Sequence, residues 1–182
     1  MLREHNMEQL SEAKKVVTLC PHCALNLEKE YSKYDTITYT VEHHTQVIEQ
    51  LITDERIKVN KTANGKITYH DPCNLSRMLD EVDAPRTAIN ATSDNFIELP
   101  ESGKNTLCCG AGGARMWMEE TIGSRINETR TEEALQTGSS IVATGCPFCM
   151  TMVSDGIANK GKSDLMQAKD VSELVLEAVE NT

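Results

Sequence analysis

The chain has 182 residues, enough for one compact domain with a hydrophobic core or for one domain and part of another. Asp and Glu number 28 against 18 Lys and Arg, and the resulting formal charge of −10 argues against a nucleic-acid partner. No apolar run reaches the roughly 18 to 20 residues that cross a bilayer, and the first residues lack the apolar core of a secretory signal. We therefore expect a cytoplasmic protein with no membrane span, which would meet a membrane only through a partner.

The first predicted elements surround the motif C-P-H-C. Residues 16–23 read V-V-T-L-C-P-H-C, a pattern typical of a buried strand that ends in a cysteine turn. A second strand is predicted at residues 36–42. Apolar residues then share one face of a helix, namely Val47, Ile48, Leu51 and Ile52. Residues 60–66 are polar and rich in turn formers, so they predict a connection.

The rest of the chain alternates between strand and helix patterns. Strands are predicted at residues 67–70, 95–99 and 140–144, and helices at about 122–136, from Pro147 through Met152, and after a capping pair formed by Asp170 and Glu173. Residues 155–169 are predicted to be a second polar connection. This alternation predicts an α/β fold with a mainly parallel sheet flanked by helices, and with cysteine loops converging at the carboxyl ends of the strands.

The chain contains an internal repeat. Residues 16–23 and 142–149 both match V-x-T-x-C-P-x-C, with a displacement of 126 residues. Counterparts of the remaining cysteines in the first copy would precede Met1. The pattern therefore predicts a C-terminal fragment, in which residues 1–60 are the last part of a first repeat and residues 61–182 are a complete second repeat.

The cysteines carry the strongest chemical signal. There are seven: Cys20, Cys23, Cys73, Cys108, Cys109, Cys146 and Cys149. Their odd number and the reducing compartment favour metal ligands or redox groups over disulfides. The last five are spaced C-x34-CC-x36-C-x2-C, too far apart for a local clip. Because five ligands exceed the four that a tetrahedral zinc needs, a polynuclear iron–sulfur cluster is the natural occupant.

Other interpretations of the same cysteines stay open at the level of sequence. Free cysteines are often small buried residues of a core. A zinc site would need Cys146, Cys149 and two of the other thiols, and such a protein would be a structural or interaction module without redox activity. A dithiol–disulfide enzyme would use Cys20 and Cys23 or Cys146 and Cys149, although neither pair has a thioredoxin-like setting.

Three short sequence motifs resemble those of a known family: H-D-P-C at residues 70–73, L-C-C-G-A-G-G at 107–113 and C-P-F-C at 146–149. With the cysteine spacing, they resemble the cysteine-rich CCG domain of heterodisulfide reductase B/D-type subunits and related iron–sulfur oxidoreductases. The resemblance extends over nearly the whole chain. Family members usually carry two full motifs, whereas Cys20 and Cys23 are here without partners and form at most a second, incomplete site.

The resemblance implies a cofactor and a role. It implies a [4Fe–4S] cluster, non-cubane in some family members, whose ligands are Cys73, Cys108, Cys109, Cys146 and Cys149, while zinc occupies some related domains. It also implies an electron-transfer domain or subunit of a larger oxidoreductase. Electrons would come from a flavoprotein or ferredoxin-type partner within a hetero-oligomer and pass to a disulfide or another acceptor.

A few further residues are candidates for supporting roles. His70 precedes Cys73 by three residues and is a candidate hydrogen-bond or proton donor. His43 and His44 are expected to cap and pack, on opposite faces of an extended segment. His22 would favour thiolate in the first turn. Residues 110–113 lack a nucleotide-binding fingerprint, and residues 115–118 are predicted to be helical and to cover the cluster.

Overall fold

The computed structural model describes residues 2–179. The helices are α1 (Leu2–Gln9), α2 (Pro21–Leu25), α3 (His44–Thr53), α4 (Asp83–Thr92), α5 (Ile126–Gln136), α6 (Pro147–Asn159) and α7 (Val171–Ala178). The strands are β1 (Lys15–Thr18), β2 (Thr40–His43), β3 (Ile67–His70), β4 (Phe96–Glu98), β5 (Ile141–Thr144) and β6 (Gln167–Asp170). Short π-helical turns cover Asn26–Glu30 and Asn74–Met78, and 3-10 turns cover Tyr31–Lys33, Gly103–Asn105 and Arg115–Trp117. Within residues 2–179, the structure contains no helix with the length and apolar character needed to cross a membrane.

The strands form two parallel sheets. The larger has the order β4-β3-β5-β6, and the smaller consists of β1 beside β2. Ile67 of β3 lies opposite Ile141 of β5 on one side and Phe96 of β4 on the other. This architecture confirms the predicted α/β class and the parallel pairing.

Helices cover both faces of the larger sheet. Successive strand residues point to opposite faces, so Ile141 and Ala143 pack with α4 and α7, whereas Val142 packs with α5 and α6. The capping pair predicted ahead of α7 is present. Asp170 Oδ1 accepts a hydrogen bond from the Ser172 N–H at 2.8 Å, and the Asp170 N–H donates to Glu173 at 2.7 Å.

The internal repeat extends beyond the cysteine motif. In sequence, β5 begins 126 residues after β1 begins and ends 126 residues after β1 ends. Each is followed by a C-P-x-C turn, a helix, a parallel strand and another helix, so that β2 and α3 correspond to β6 and α7. The division of the chain near residue 60 stays a prediction.

Several predicted boundaries were wrong. Residues 155–169 hold the end of α6 and the start of β6, because Gly156 lets α6 pack closely against Thr131 of α5 and because β6 is an edge strand that tolerates polar residues. β1 is buried only at Thr18, since it lies in a sheet of two strands. β2 begins at Thr40 and α5 at Ile126, both four residues later than predicted, and residues 115–117 form only a 3-10 turn.

Candidate metal centre

A cavity of about 210 Å³ lies at the carboxyl ends of β3 and β5. Its lining contains five of the seven cysteines, namely Cys73, Cys108, Cys109, Cys146 and Cys149. These cysteines come from three separate loops. The structure therefore brings together the five cysteines predicted from their spacing, and it does so at the edge of the sheet where parallel strands place their ligand groups.

The C-P-F-C turn supplies two buried sulfurs. Cys146 precedes the first turn of α6, with Pro147 as the first helical residue. A hydrogen bond from the Cys149 thiol, then one from Cys20 and the backbone N–H groups of residues 148 and 149, lower the pKa of Cys146 to about 3. The pKa of Cys149 is raised instead, because its proton is held between the sulfurs of Cys109 and Cys146. The turn thus favours thiolate at Cys146, the form that binds metal.

The adjacent cysteines occupy a glycine loop that approaches α5 closely. Hydrogen bonds from Cys108 and Cys149 lower the pKa of Cys109, while Cys108 keeps its proton and has a raised pKa. The Gly110 N–H donates to the Cys108 sulfur at 3.3 Å. Gly110 has φ +93°, and a Cβ there would lie 3.2 Å from the backbone nitrogen of Asn127. Glycine is therefore required at this position.

Asp71 fixes the loop that carries Cys73. Its buried carboxylate receives two hydrogen bonds from Arg86, at 2.8 and 3.0 Å, and a third from the Gly103 N–H at 2.8 Å. The Thr106 hydroxyl donates to the Asp71 carbonyl at 3.2 Å. Thr106 lies two residues before Cys108, so this contact ties the loop of Cys73 to the loop of the adjacent cysteines.

His70 and Arg130 lie behind the sulfurs. A ring nitrogen of His70 and the sulfurs of Cys109 and Cys149 all lie within 4.8 Å of one another. The Arg130 Nε–H donates to His70 Nδ1 at 3.0 Å, and Arg130 also pairs with Glu133 and donates to Thr106. Sequence reasoning selected His70 but missed Arg130, Asp71, Arg86 and Thr106. Asp71 belongs to the H-D-P-C motif, but the other three follow no local motif, and the tertiary fold alone brings them to the site.

The first cysteine turn contacts the second. Cys20 forms a thiol hydrogen bond with Cys146 that raises the pKa of Cys20. The rings of His22 and Phe148 meet edge to face, with centroids 6.4 Å apart. Cys23 is exposed. Cys20 therefore lies against Cys146, one of the five cysteines that line the cavity, whereas Cys23 faces solvent.

His43 links the same two turns. Its Nε2–H donates to the carbonyl of Gly145 at 2.9 Å, and Nδ1 accepts from Thr45 at 2.7 Å. The ring centroids of His43 and His44 lie 4.3 Å apart, so the two rings are in contact. This contact corrects the expectation that the two side chains point to opposite faces. That expectation failed because His43 ends β2 and His44 begins α3. The predicted capping role is present, since the His43 N–H donates to Gln46 at 2.9 Å.

Apolar side chains surround the mouth of the cavity. Trp117 lines it while 79% exposed, and Phe148 lines it while 40% exposed. Met116 and Ala111 pack against the buried cysteines beneath. Met116 and Trp117 thus line the cavity, whereas the expectation that residues 115–118 cover the cluster stays a prediction.

The chemistry of the donor set fits a soft metal. The lining contains five thiols and no carboxylate, and thiolates select iron–sulfur clusters, zinc or copper(I) over magnesium or calcium. His70 Nε2 is a buried polar atom with no nitrogen or oxygen partner among residues 2–179, and it belongs to a ring that lies against two of these sulfurs. A cluster with acceptor sulfurs suits this orphaned nitrogen.

Comparisons with known proteins agree with this chemistry. Residues 67–154 match the CCG family, described as a cysteine-rich domain. The chain is 36% identical to a probable iron–sulfur-binding oxidoreductase, FadF, of Bacillus subtilis, over 98% of this chain and 26% of that protein. It is 34% identical to an EtfAB:quinone oxidoreductase of Syntrophomonas wolfei, over 98% of this chain and 26% of the relative. It is 35% identical to a dihydromethanophenazine:CoB–CoM heterodisulfide reductase polypeptide of Methanosarcina barkeri, over 98% of this chain and 44% of that polypeptide. The chain thus spans between about a quarter and a half of these relatives.

Proposed function

Because residues 67–154 of this chain belong to the CCG family of cysteine-rich domains, we propose that the chain is the iron–sulfur electron-transfer part of a larger oxidoreductase of the heterodisulfide reductase type. The observation that carries the proposal is the convergence of five thiols from three loops on one cavity. The names of the relatives support it, since they describe an iron–sulfur-binding oxidoreductase, a quinone oxidoreductase and part of a heterodisulfide reductase.

The proposed ligands are the five cysteines that line the cavity, Cys73, Cys108, Cys109, Cys146 and Cys149. A cluster bound there supplies reversible one-electron chemistry. The protein's part is to hold thiolates at Cys109 and Cys146, to donate backbone N–H groups from Gly110 and the C-P-F-C turn, and to exclude water from the buried sulfurs. The proposed occupant is a [4Fe–4S] cluster, and the non-cubane form that the family resemblance implies for some members would account for all five cysteines.

Electrons would enter from a flavoprotein or ferredoxin-type partner and leave to a disulfide or another acceptor. Exposed Trp117 and Phe148 at the mouth of the cavity support a partner surface there, because large exposed apolar groups beside a site are typical of interfaces. The chain is then a subunit or fragment within a hetero-oligomer. Residues 1–60 are proposed as the last part of a first repeat, and residues 61–182 as a complete second one, with Glu180 to Thr182 and Met1 outside the described residues.

A zinc-binding module without redox activity is the second candidate. It is favoured by the buried group of His70, Cys109 and Cys149, because one histidine and several thiolates make a common structural zinc site. In that case the metal would contribute folding free energy and carry no electrons.

Metal analysis of the anaerobically purified chain tests the proposal. We expect a brown protein whose broad visible absorption bleaches on reduction, with about four iron atoms and matching acid-labile sulfide per chain. A colourless protein with one zinc per chain would support the zinc-binding module instead. A preparation that binds neither metal after anaerobic reconstitution would contradict both candidates.

A further inference from the structure

The side chain of His70 has one ring nitrogen with a partner and one without. The residue is 1% exposed. Its Nδ1 lies 3.0 Å from the Arg130 Nε, whereas its Nε2 has no nitrogen or oxygen partner among residues 2–179. The His70 side chain also interacts with the sulfur of Cys109, which helps to lower the pKa of that thiol. Buried polar groups in folded proteins are nearly always paired, so Nε2 requires a partner that the protein's own nitrogen and oxygen atoms do not provide.

Arg130 determines which of the two nitrogens carries the hydrogen. A guanidinium group has donors only, so the nitrogen that faces it must offer a lone pair. With Nδ1 serving as acceptor, the ring hydrogen sits on Nε2. Arg130 is held in place by Glu133 on one side and by the Thr106 hydroxyl at 3.1 Å on the other, and its side chain is 2% exposed. It is therefore a fixed donor.

The groups beside the ring are sulfurs. A ring nitrogen of His70 lies within 4.8 Å of the sulfurs of both Cys109 and Cys149. We propose that His70 donates its Nε2–H to a sulfur of the metal centre at Cys109, and that Arg130 is the positioning residue that commits His70 to this role. The inference rests on the proposed function, and it names the groups that tune the potential of the same site.

The same hydrogen placement separates two roles that histidine plays at metal centres. A histidine that binds a metal must offer it a lone pair. With its hydrogen on Nε2, His70 has no lone pair facing the sulfurs and acts as a donor rather than a ligand. A donor to a thiolate or sulfide withdraws negative charge from the cluster, so it favours the reduced form and raises the reduction potential.

Nitrogen-15 NMR of the full metal-free chain tests the hydrogen placement. Long-range proton–nitrogen correlations distinguish a ring nitrogen that carries hydrogen from one with a lone pair, and the spectrum of His70→Gln identifies the signals of His70. We expect hydrogen on Nε2 and a lone pair on Nδ1. Hydrogen on Nδ1 alone, or on both nitrogens, would overturn the proposal.

Redox titration of the reconstituted chain tests the consequence. His70→Leu removes the donor, and we expect about a tenfold fall in the ratio of reduced to oxidised cluster at a fixed potential, which is about 59 mV for one electron. His70→Gln retains an N–H donor and should recover most of the potential. An unchanged potential in His70→Leu at full iron content would overturn the proposal.

Arg130→Met tests the positioning role without removing the imidazole. Freed from its donor, the ring should show both hydrogen placements by nitrogen-15 NMR, and the potential should fall towards that of His70→Leu. Glu133→Gln is the matched control, because it alters the same guanidinium from the other side and leaves the Nε–H donor in place. A single unchanged hydrogen placement in Arg130→Met would show that Arg130 does not set it.

The two levels of the proposal fail in different ways. Absence of iron and sulfide after reconstitution contradicts the iron–sulfur function whatever the NMR shows. A lone pair on Nε2 contradicts the role of His70 even in a protein that is full of iron.

Discussion

The Nε2–H of His43 donates to the carbonyl oxygen of Gly145 at 2.9 Å, across 102 positions of sequence. His43 ends β2, and Gly145 is the residue before Cys146. Through this bond, the smaller sheet supports the turn that carries two of the proposed ligands. His43 also interacts with the backbone of Leu19, the residue before Cys20, so one imidazole contacts both cysteine turns.

Gly145→Ala is predicted to disturb the C-P-F-C turn. A Cβ at position 145 would lie 3.0 Å from Cε1 of His43 and 3.4 Å from a methyl carbon of Thr45, both within a buried group that has little room to shift. We expect a loss of about 1 to 3 kcal/mol in the free energy of unfolding, measured by urea denaturation, together with lower iron retention. Gly112→Ala is the control, because a Cβ there meets nothing within 4 Å. Equal stability of the two variants would contradict the close contact.

His43 is predicted to make the protein less stable in mild acid. Burial first, and then the neighbouring His44, lower the pKa of His43 from 6.5 to about 4. Between these values the unfolded state binds more protons than the folded state, so the free energy of unfolding falls as the pH drops from about 6.5 to about 4 and this contribution then levels off. A shift of this size corresponds to about 3 kcal/mol.

The comparison with His43→Gln isolates this contribution in urea denaturation at a series of pH values. Glutamine retains an N–H donor for Gly145 and cannot titrate, so the stability of His43→Gln should not fall between about pH 6.5 and 4 as that of the wild type does. The control is His22→Gln, at an exposed position, which should keep the pH dependence of the wild type. The Asp170 carboxylate also lies beside this pair of histidines, since its Oδ1 is 3.0 Å from His44 Nε2. Burial opposes the shift, but the hydrogen bond from His44 lowers the pKa of Asp170 below its usual 3.8. The stability that ionised Asp170 contributes is therefore lost only as the pH falls below 3.8, outside the window of His43. If the free energies of unfolding of the wild type and of His43→Gln change in parallel with pH, the pH dependence does not come from His43.

Asp71→Asn is predicted to release the loop of Cys73. The substitution leaves the Arg86 guanidinium with a neutral partner at its most buried contact, and breaking such a pair costs about 3 kcal/mol. We expect lower stability in urea and faster loss of iron to a chelator. Glu98→Gln alters the other, exposed partner of Arg86 and should cost less than about 1 kcal/mol. Similar costs for the two substitutions would show that the contact with Asp71 is not the one that fixes the loop.

The five cysteines that line the cavity could be predicted from sequence, and His70 could be selected beside them, whereas the other residues that support the site could not. Cysteine spacing and the strand before each loop were enough to place Cys73 and Cys146 at the same edge of a parallel sheet, because parallel strands bring their carboxyl ends together. Arg130 and His43 reach the site from α5 and from β2, each far from any cysteine in sequence. Their roles depend on helix packing and on the contact between the two cysteine turns, which no local motif encodes.

The cysteine substitutions give the most direct test of the site. Serine is nearly the size of cysteine but is a poor ligand for a soft metal, so Cys109→Ser and Cys149→Ser should each lose most of the iron and sulfide per chain. Cys23→Ser is the matched control, since Cys23 is exposed and belongs to the same kind of turn. Cys20→Ser should retain the iron but alter the absorption spectrum, because Cys20 hydrogen-bonds the proposed ligand Cys146 without lining the cavity. Iron loss in Cys23→Ser that equals the loss in Cys149→Ser would mean that the metal sits at the first turn, and the five-cysteine site would then be wrong.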